Sequence, residues 1–362
     1  MHVTALFPPQ NRDWSLLAEV PLTPLAAERV AREAAQHAFG ESARSISIDW
    51  HLPAEEALDG KQIQRWSERL GQSLVDQRQA EVEALARGIK PQGPLNEAPL
   101  MVLGMDGGRV QTREKDPQTQ SRWKEDKVLS LSSYLPGDGK DQEPQKLVTT
   151  YVATMENAAA FGPMVAVEAY RRGLWQVPVV LNISDAGNWI DPISETQKLA
   201  DVRIIDFYHA AERLFEVARA VKGPQTPEAM ALGKQLEGQL LEGKVGEVIT
   251  WMRAQSQALG PVQEADGPLH PRQILRQNLG YFEKHQENMR YDVYRQNGWP
   301  IGSANTEAGV KGFNKRVKGT EQFWIKPGAE AIMALRATWM SQDQRWDRYW
   351  NFRPAYGRRQ AA

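Results

Sequence analysis

Between residues 24 and 90 the apolar positions recur at helical intervals. Leu25, Val30 and Ala34 make one stripe, and Ile63, Trp66, Leu70 and Leu74 make another. Such spacing puts each set on one face of a helix, so two or three helices are expected here. Gly60-Lys61-Gln62-Ile63-Gln64-Arg65 reads either as the start of a helix-turn-helix recognition helix or as the opening of an ordinary structural helix. Pro91 to Pro99, with three prolines and a glycine, reads as a linker.

After the linker the period changes. Leu100 to Met105 is a short apolar run ending in Asp106-Gly107-Gly108, and Val128 to Leu135 and Leu147 to Val152 are further β-rich stretches. A polar insertion, Gly137 to Gln145, separates the last two. A helix is expected from Asn157 to Arg172, closed by Gly173 in the C-cap position. Val177 to Ile183 is almost continuously apolar, as a buried parallel strand should be. A short helix after Asn188 leads to a strand at Val202 to Ile205, which runs into a helix through His209. Tyr208 to Gln296 is almost entirely helical, and so is Thr306 to Tyr349 except for a break near Trp324 to Gly328. Three antiparallel strands followed by alternating helices and strands make an α/β protein with helical additions.

Composition narrows the chemistry. The 362 residues are 25% charged and 41% hydrophobic, as in an ordinary globular protein, and suffice for one large core with additions or for two or three domains. With no Cys, disulfides, thiolate zinc sites and Cys nucleophiles are excluded. No apolar run approaches the roughly 18 residues that span a bilayer, and Met1-His2-Val3-Thr4 does not begin like a signal peptide, so a cytoplasmic protein is expected. The net charge of −1 hides an asymmetry: residues 284–362 hold 14 Lys and Arg against 7 Asp and Glu, whereas residues 1–98 hold 10 against 14. The basic segment suits contact with phosphate, or it is a solvated helical surface.

Three aspartates end apolar strands: Asp106, Asp185 and Asp206. Singly, each has a plain explanation, since Asp106-Gly107 is a hairpin-turn signal and Asp185 fits a helix N-cap. Together they would gather at the carboxyl ends of neighbouring strands, where α/β sheets bind ligands. Clustered carboxylates repel unless a cation sits among them, and hard oxygen donors favour Mg²⁺ or Mn²⁺. Glu307 opens a helix whose stripe reads Glu307, Lys311, Asn314, Lys315, Lys318, which is either a metal ligand followed by a phosphate-gripping ridge or an exposed ion-paired face. His209 lies about one turn after Asp206, where it either packs against the core or reaches toward a phosphate. Trp324, Trp339, Trp346 and Trp350 read as helix-packing residues rather than base-stacking ones.

The ordered set of segments resembles the ISKra family of bacterial insertion-sequence transposases, within the Mutator-like DDE superfamily. The resemblance rests on Met105-Asp106-Gly107-Gly108-Arg109-Val110, Trp123-Lys124-Glu125-Asp126-Lys127, and Asp185 through Trp189-Ile190. It continues through Asp206-Phe207-Tyr208-His209-Ala210-Ala211-Glu212, Pro300-Ile301-Gly302-Ser303 leading to Glu307, Gly328-Ala329-Glu330-Ala331-Ile332 and Leu335-Arg336-Ala337. It covers roughly residues 95–350. The chain departs from the family pattern at Ala186-Gly187, where the order is reversed, and at Ala304-Asn305-Thr306; no zinc-binding element is evident before residue 95.

The resemblance implies an RNase H-like mixed-sheet catalytic core at 96–210 and 300–362. It implies a helical N-terminal region at 1–95, possibly DNA-binding, and a helical insertion at 211–299 before the last catalytic residue. Asp106, Asp185 and Glu307 would be the catalytic, metal-binding triad, Asp206 and His209 an accessory element, and Lys311, Lys315, Arg316 and Lys318 would hold DNA. Two Mg²⁺ or Mn²⁺ ions would serve strand cleavage and transfer. The partners implied are double-stranded DNA, as the element's terminal inverted repeats and the target, and a second copy or more of the chain, in the bacterial nucleoid and without a membrane. Two rivals remain: a domesticated, catalytically inactive DNA-binding protein, and a glycoside hydrolase using two of the carboxylates, for which the 12 Trp would suit sugar stacking.

Overall fold

The computed structural model describes residues 16–93, 96–139, 142–319 and 322–351. The N-terminal Met1–Thr4, Pro94 and Leu95 of the expected linker, Lys140 and Asp141 of the polar insertion, and the end of the basic segment from Phe352 lie outside them. Three helices come first: α1 (Pro24–Gln36), α2 (Phe39–Asp49) and α3 (Gly60–Ala86). Thr23 caps α1 ahead of a proline at its first position, and the Asp59 carboxylate caps α3 by accepting from Gln62 N at 2.7 Å. Val30, Ala34, Ile63, Trp66 and Leu70 are buried as their spacing predicts. Leu25 is not: it is 80% exposed, because five residues before Val30 it lies about 140° away around the helix from the buried stripe. The Gly60–Arg65 segment opens α3, whose Ile63, Trp66 and Ser67 face is buried.

The sheet follows, as β1 (Leu100–Gln111), β2 (Trp123–Leu135) and β3 (Gln145–Thr154), then α4 (Ala158–Arg171), β4 (Val179–Ser184), α5 (Ile190–Gln197) and β5 (Val202–Ile205). Its strand order is β3-β2-β1-β4-β5. β1, β2 and β3 form an antiparallel meander, while β4 and β5 run parallel to β1, as helical crossovers require. This is the mixed α/β arrangement of an RNase H-like core. β1 and β2 are longer than the apolar runs suggested. Asp106-Gly107-Gly108 is not a hairpin turn but lies inside β1, with Asp106 opposite Val128 and Gly108 opposite Asp126. The glycines provide clearance there, since a side chain on Gly108 would strike the Asp126 carboxylate.

Alternation along β1 divides the core. Met101, Leu103 and Met105 face α4 and α5, together with Leu129, Leu131 and Val180. Asp106 and Val110 take the opposite parity, and Val110 packs with Val128, Tyr151 and the later helices α11 (Ala304–Val317) and α12 (Lys326–Met340). α1, α2 and α3 join the same apolar cluster from outside, Gly71 of α3 lying against the backbone of Ala331. Beyond β5, α6 (Phe207–Lys222), α7 (Pro227–Leu241), α8 (Val245–Leu259), α9 (Pro271–His285) and α10 (Tyr291–Gln296) build a helical block around Leu214, Leu236, Met252 and Phe282. Trp324, Trp346 and Trp350 are buried, and Trp339 meets Trp346 edge to face at 5.2 Å, so these tryptophans pack helices. No helix among the described residues is long and apolar enough to cross a membrane.

One buried ionic junction closes the core. Glu168 on α4 is fully buried and takes Arg345 through both carboxylate oxygens, at 2.6 and 3.1 Å, and Arg171 at 2.6 Å. Burial opposes its charge, but the two guanidinium groups hold the carboxyl down at about 2. Arg345 opens α13 (Arg345–Asn351), so this junction ties the C-terminal helix to α4. Glu168→Gln removes the charge the two guanidinium groups share, while Arg171 keeps Glu81 and Arg345 keeps Asp343, so the loss should be about 1–3 kcal/mol of stability. Urea unfolding checks this: a midpoint shift below the equivalent of 1 kcal/mol, itself only about a fivefold change in the folded ratio, would contradict it.

Candidate metal centre

Register places the acidic residues in one row. The last paired residues of β1 and β4 are Leu103 and Asn182, and Met105 N then donates to Ser184 Oγ at 3.3 Å. Ser184 in turn pairs with Ile205, and Asp206 N donates to the Ser184 carbonyl at 3.1 Å. Asp106, Asp185 and Asp206 therefore follow one another in a row, Asp106 within β1 just beyond its pairing with β4, and Asp185 and Asp206 just past the carboxyl ends of β4 and β5. Parity also agrees: Leu181 and Ile183 share the core side of Leu100 and Val102, so the next odd position, Asp185, continues on the face to which Asp106 belongs.

Glu307 reaches this row from above because α11 lies close on β1. Thr306 sits over Gly104, where any side chain would collide with it, and its hydroxyl meets Ser130 Oγ at 2.8 Å. One turn on, Gly309 lies against the Tyr151 ring, and Asn314 sits over Gly108. The start of α11 is set by Asp206, whose Oδ2 accepts from Ser303 N. Its other oxygen accepts from His209 N at 2.9 Å, capping α6, and lies 3.4 Å from His209 Nδ1. One carboxylate thus joins the N-termini of α6 and α11.

The electrostatics follow from this crowding. Burial pushes the Asp106 carboxyl above its ordinary range, and Asp185 and Glu307 push the same way against the Gly107 N–H and His209. Burial would raise Asp206 too, yet the hydrogen bonds from His209 and Ser303 hold it down at about 2. The contact with Asp206 lifts His209 to about 9, so the imidazole is charged at neutral pH. Asp206, His209 and Glu307 each bring a donor atom to within 4.8 Å of the other two, close enough to share a metal ion. Asp206 already has both oxygens engaged, and a charged imidazole must release its proton before it ligates. Asp106 and Asp185 each accept one backbone N–H, from Gly107 at 2.6 Å and Gly187 at 3.0 Å, and keep lone pairs to offer. A crowded set of carboxylates with one imidazole beside it suits a hard divalent cation.

The basic residues divide. Lys311, Lys315 and Lys318 are exposed along α11, Lys311 pairing with Glu307 at 3.0 Å and Lys318 lying over Trp123. Arg316 does not belong with them. It is buried, donates to the Ala34 carbonyl at 2.6 Å, and lies over the rings of Phe39 and Trp324. It falls three residues after Phe313 and one before Val317, both core residues, so its helical phase already pointed inward. Asp126 went unassigned in the sequence although its segment was singled out. It is fully buried on the Asp106 side of β2, and neither carboxylate oxygen has a hydrogen-bond partner among the described residues. Burial, then Asp106, raises it to about 6. Its place opposite Gly108, in phase with Val128, was the signal available.

No known protein family and no curated protein matches this chain. Among solved structures it is similar to one described as the Drosophila P element transposase strand transfer complex. The identity is 10%, the match covers 84% of this chain and 98% of that one, and the TM-score is 0.31. At that score the two backbones differ too far for the likeness to bear on the site.

The Asp206–His209 pair makes two opposite contributions to pH dependence. The Asp206 share of stability is present above the ordinary carboxylate value and is lost as pH falls through about 2. The His209 share is complete below its ordinary value and is lost as pH rises through about 9. An NMR titration should give a His209 midpoint of about 9, moving down toward roughly 6.5 in Asp206→Asn. A midpoint indifferent to that substitution would show that Asp206 does not hold the proton.

Proposed function

We propose that this chain is a DDE-type transposase of the Mutator-like kind, in the ISKra family, cutting and joining DNA strands at the ends of its element. The observation that supports the reading is the row of Asp106, Asp185 and Asp206 across β1, β4 and β5, with α11 bringing Glu307 to Asp206 and His209. In this reading Asp106, Asp185 and Glu307 hold two Mg²⁺ or Mn²⁺ ions. When bound, these would activate a water or 3′-hydroxyl and stabilise the leaving oxygen of a phosphodiester.

The residues of the chain do the rest. Asp206 fixes the start of α11 and thereby the reach of Glu307, and it keeps His209 charged so that the imidazolium can donate to a phosphate oxygen. Lys315 and Lys318, with Lys311 once released from Glu307, hold the DNA backbone along α11. The division that goes with this function is a helical N-terminal region at 1–95, a catalytic core at 96–210 and 300–362, and an insertion at 211–299. Joining two DNA ends calls for at least a dimer on DNA.

Supercoiled plasmid carrying candidate element ends, incubated with Mg²⁺, Mn²⁺ or EDTA, tests the proposal. Nicking or joining should require the metal and fall on the order of a hundredfold or more in Glu307→Gln and in Asp106→Asn. Strand transfer retained by Asp106→Asn would sink the assignment. If neither wild type nor variant cuts but both bind the end DNA, the chain is a DNA-binding protein without catalysis.

A further inference from the structure

Beside the acidic row, a cavity of about 360 Å³ opens between the turn after β4, α6 and α9. Asp185 stands in one wall, His209 and Arg213 come from α6, and Tyr281, Lys284 and His285 come from α9. Arg213 is half-buried and takes no carboxylate partner among the described residues. Instead its guanidinium lies 4.1 Å over the Tyr281 ring, and one nitrogen donates to Asn278 Oδ1 at 3.3 Å. A guanidinium held flat by an aromatic ring has little rotamer freedom left to lose, and its remaining N–H groups form a fork suited to two oxygens of one anion. Lys284, at the exposed rim, has no acidic partner among the described residues either. Arg213 and Lys284 are thus two cations facing the single carboxylate of Asp185. Tyr281 is covered on one face by Arg213 and flanked by Phe282 and His285, so it serves as a support for the guanidinium rather than as a platform for a base.

We propose that the cavity between α6 and α9 is a phosphate-binding site, with Arg213 gripping the phosphate oxygens and Lys284 neutralising their charge. Resting on the function proposed above, its ligand is a phosphodiester of the DNA strand that continues past Asp185 toward the helical block. That strand would then be held on both sides of the acidic row, by α11 on one and α9 on the other.

The test measures binding of the full chain to a fluorescein-labelled duplex of mixed sequence, with and without a 3′ single-stranded extension, over a salt series. Alongside it, ³¹P line broadening follows inorganic phosphate alone. Lys284→Gln removes an exposed charge with little risk to folding, and should lower the salt slope by about 0.9, the value for one lost phosphate contact. Arg213→Gln with Lys284→Gln should lower it further and weaken binding at fixed salt at least about tenfold. Lys234→Gln, on the exposed side of α7, should change neither. If wild type binds DNA and both cavity variants bind it with the same slope, this inference is wrong while the DNA reading stands. If wild type binds no DNA but broadens inorganic phosphate, and the double variant does not, the phosphate site stands with a free phosphate group as its source, and the transposase reading falls. Binding of neither ligand overturns the site.

Discussion

The buried carboxylate of Asp206 receives backbone N–H groups from His209 and from Ser303, residues that stand at opposite ends of the long helical excursion. Everything proposed for the site depends on this meeting. It caps α6 at the edge of the sheet, starts α11 above β1, and holds the proton on His209. Its strength comes from geometry rather than from charge alone. A carboxylate in a dry site accepting oriented N–H donors remains ionised where burial would otherwise neutralise it. The acidic row can therefore keep one fixed anion at its end, while burial and then its acidic neighbours push the Asp106 carboxyl up.

The close approach of α11 to the sheet is the second condition, and it is written in small residues. Gly104 and Gly108 on β1 lie under Thr306 and Asn314, and Gly309 on the helix accepts the Tyr151 ring. Two buried arginines anchor the same helix layer to the N-terminal region: Arg316 and Arg336 donate to the Ala34 and Ala35 carbonyls in the last turn of α1. These carbonyls lack partners within the helix and carry its negative dipole end, so cations there satisfy both needs. The N-terminal helices are thereby joined to the layer that carries Glu307 by oriented polar contacts as well as by apolar packing.

Much of this was legible in the chain because its signals are local. The apolar run before Asp185, the alternation through Val128 to Leu135, and the stripe of Ile63, Trp66 and Leu70 each report their own element without reference to any other. What was not legible depends on contacts between distant segments. Asp106-Gly107 has the local form of a turn, and only pairing with β2, which continues to Trp123, keeps it extended. Arg316 has the phase of a core position beside Phe313 and Val317, but only the terminal carbonyls of α1 account for a cation there. Asp126 looks like one charge among several in Trp123 to Lys127, and only the strand opposite reveals that it is sealed beneath α11. The convergence of Asp206 with His209 and Glu307 likewise needs the chain to return after 97 residues from Asp206 to Ser303.

That return has a consequence for how the molecule can vary. Because both ends of the excursion are fastened to one carboxylate, the position of Glu307 is set by the fastening and not by the length of chain between its ends. The closure entropy of an intervening segment grows only logarithmically with its length, by about 0.6 kcal/mol per doubling when it is flexible. Helices α7 and α8 can in principle be lengthened, shortened or exchanged at little cost to the acidic row, whereas a single-residue insertion between Ser303 and Glu307 would turn the carboxylate by about 100° around the helix axis. The far end of the excursion is the part of this architecture free to diversify, and the five residues from Ser303 to Glu307 are the part that is not.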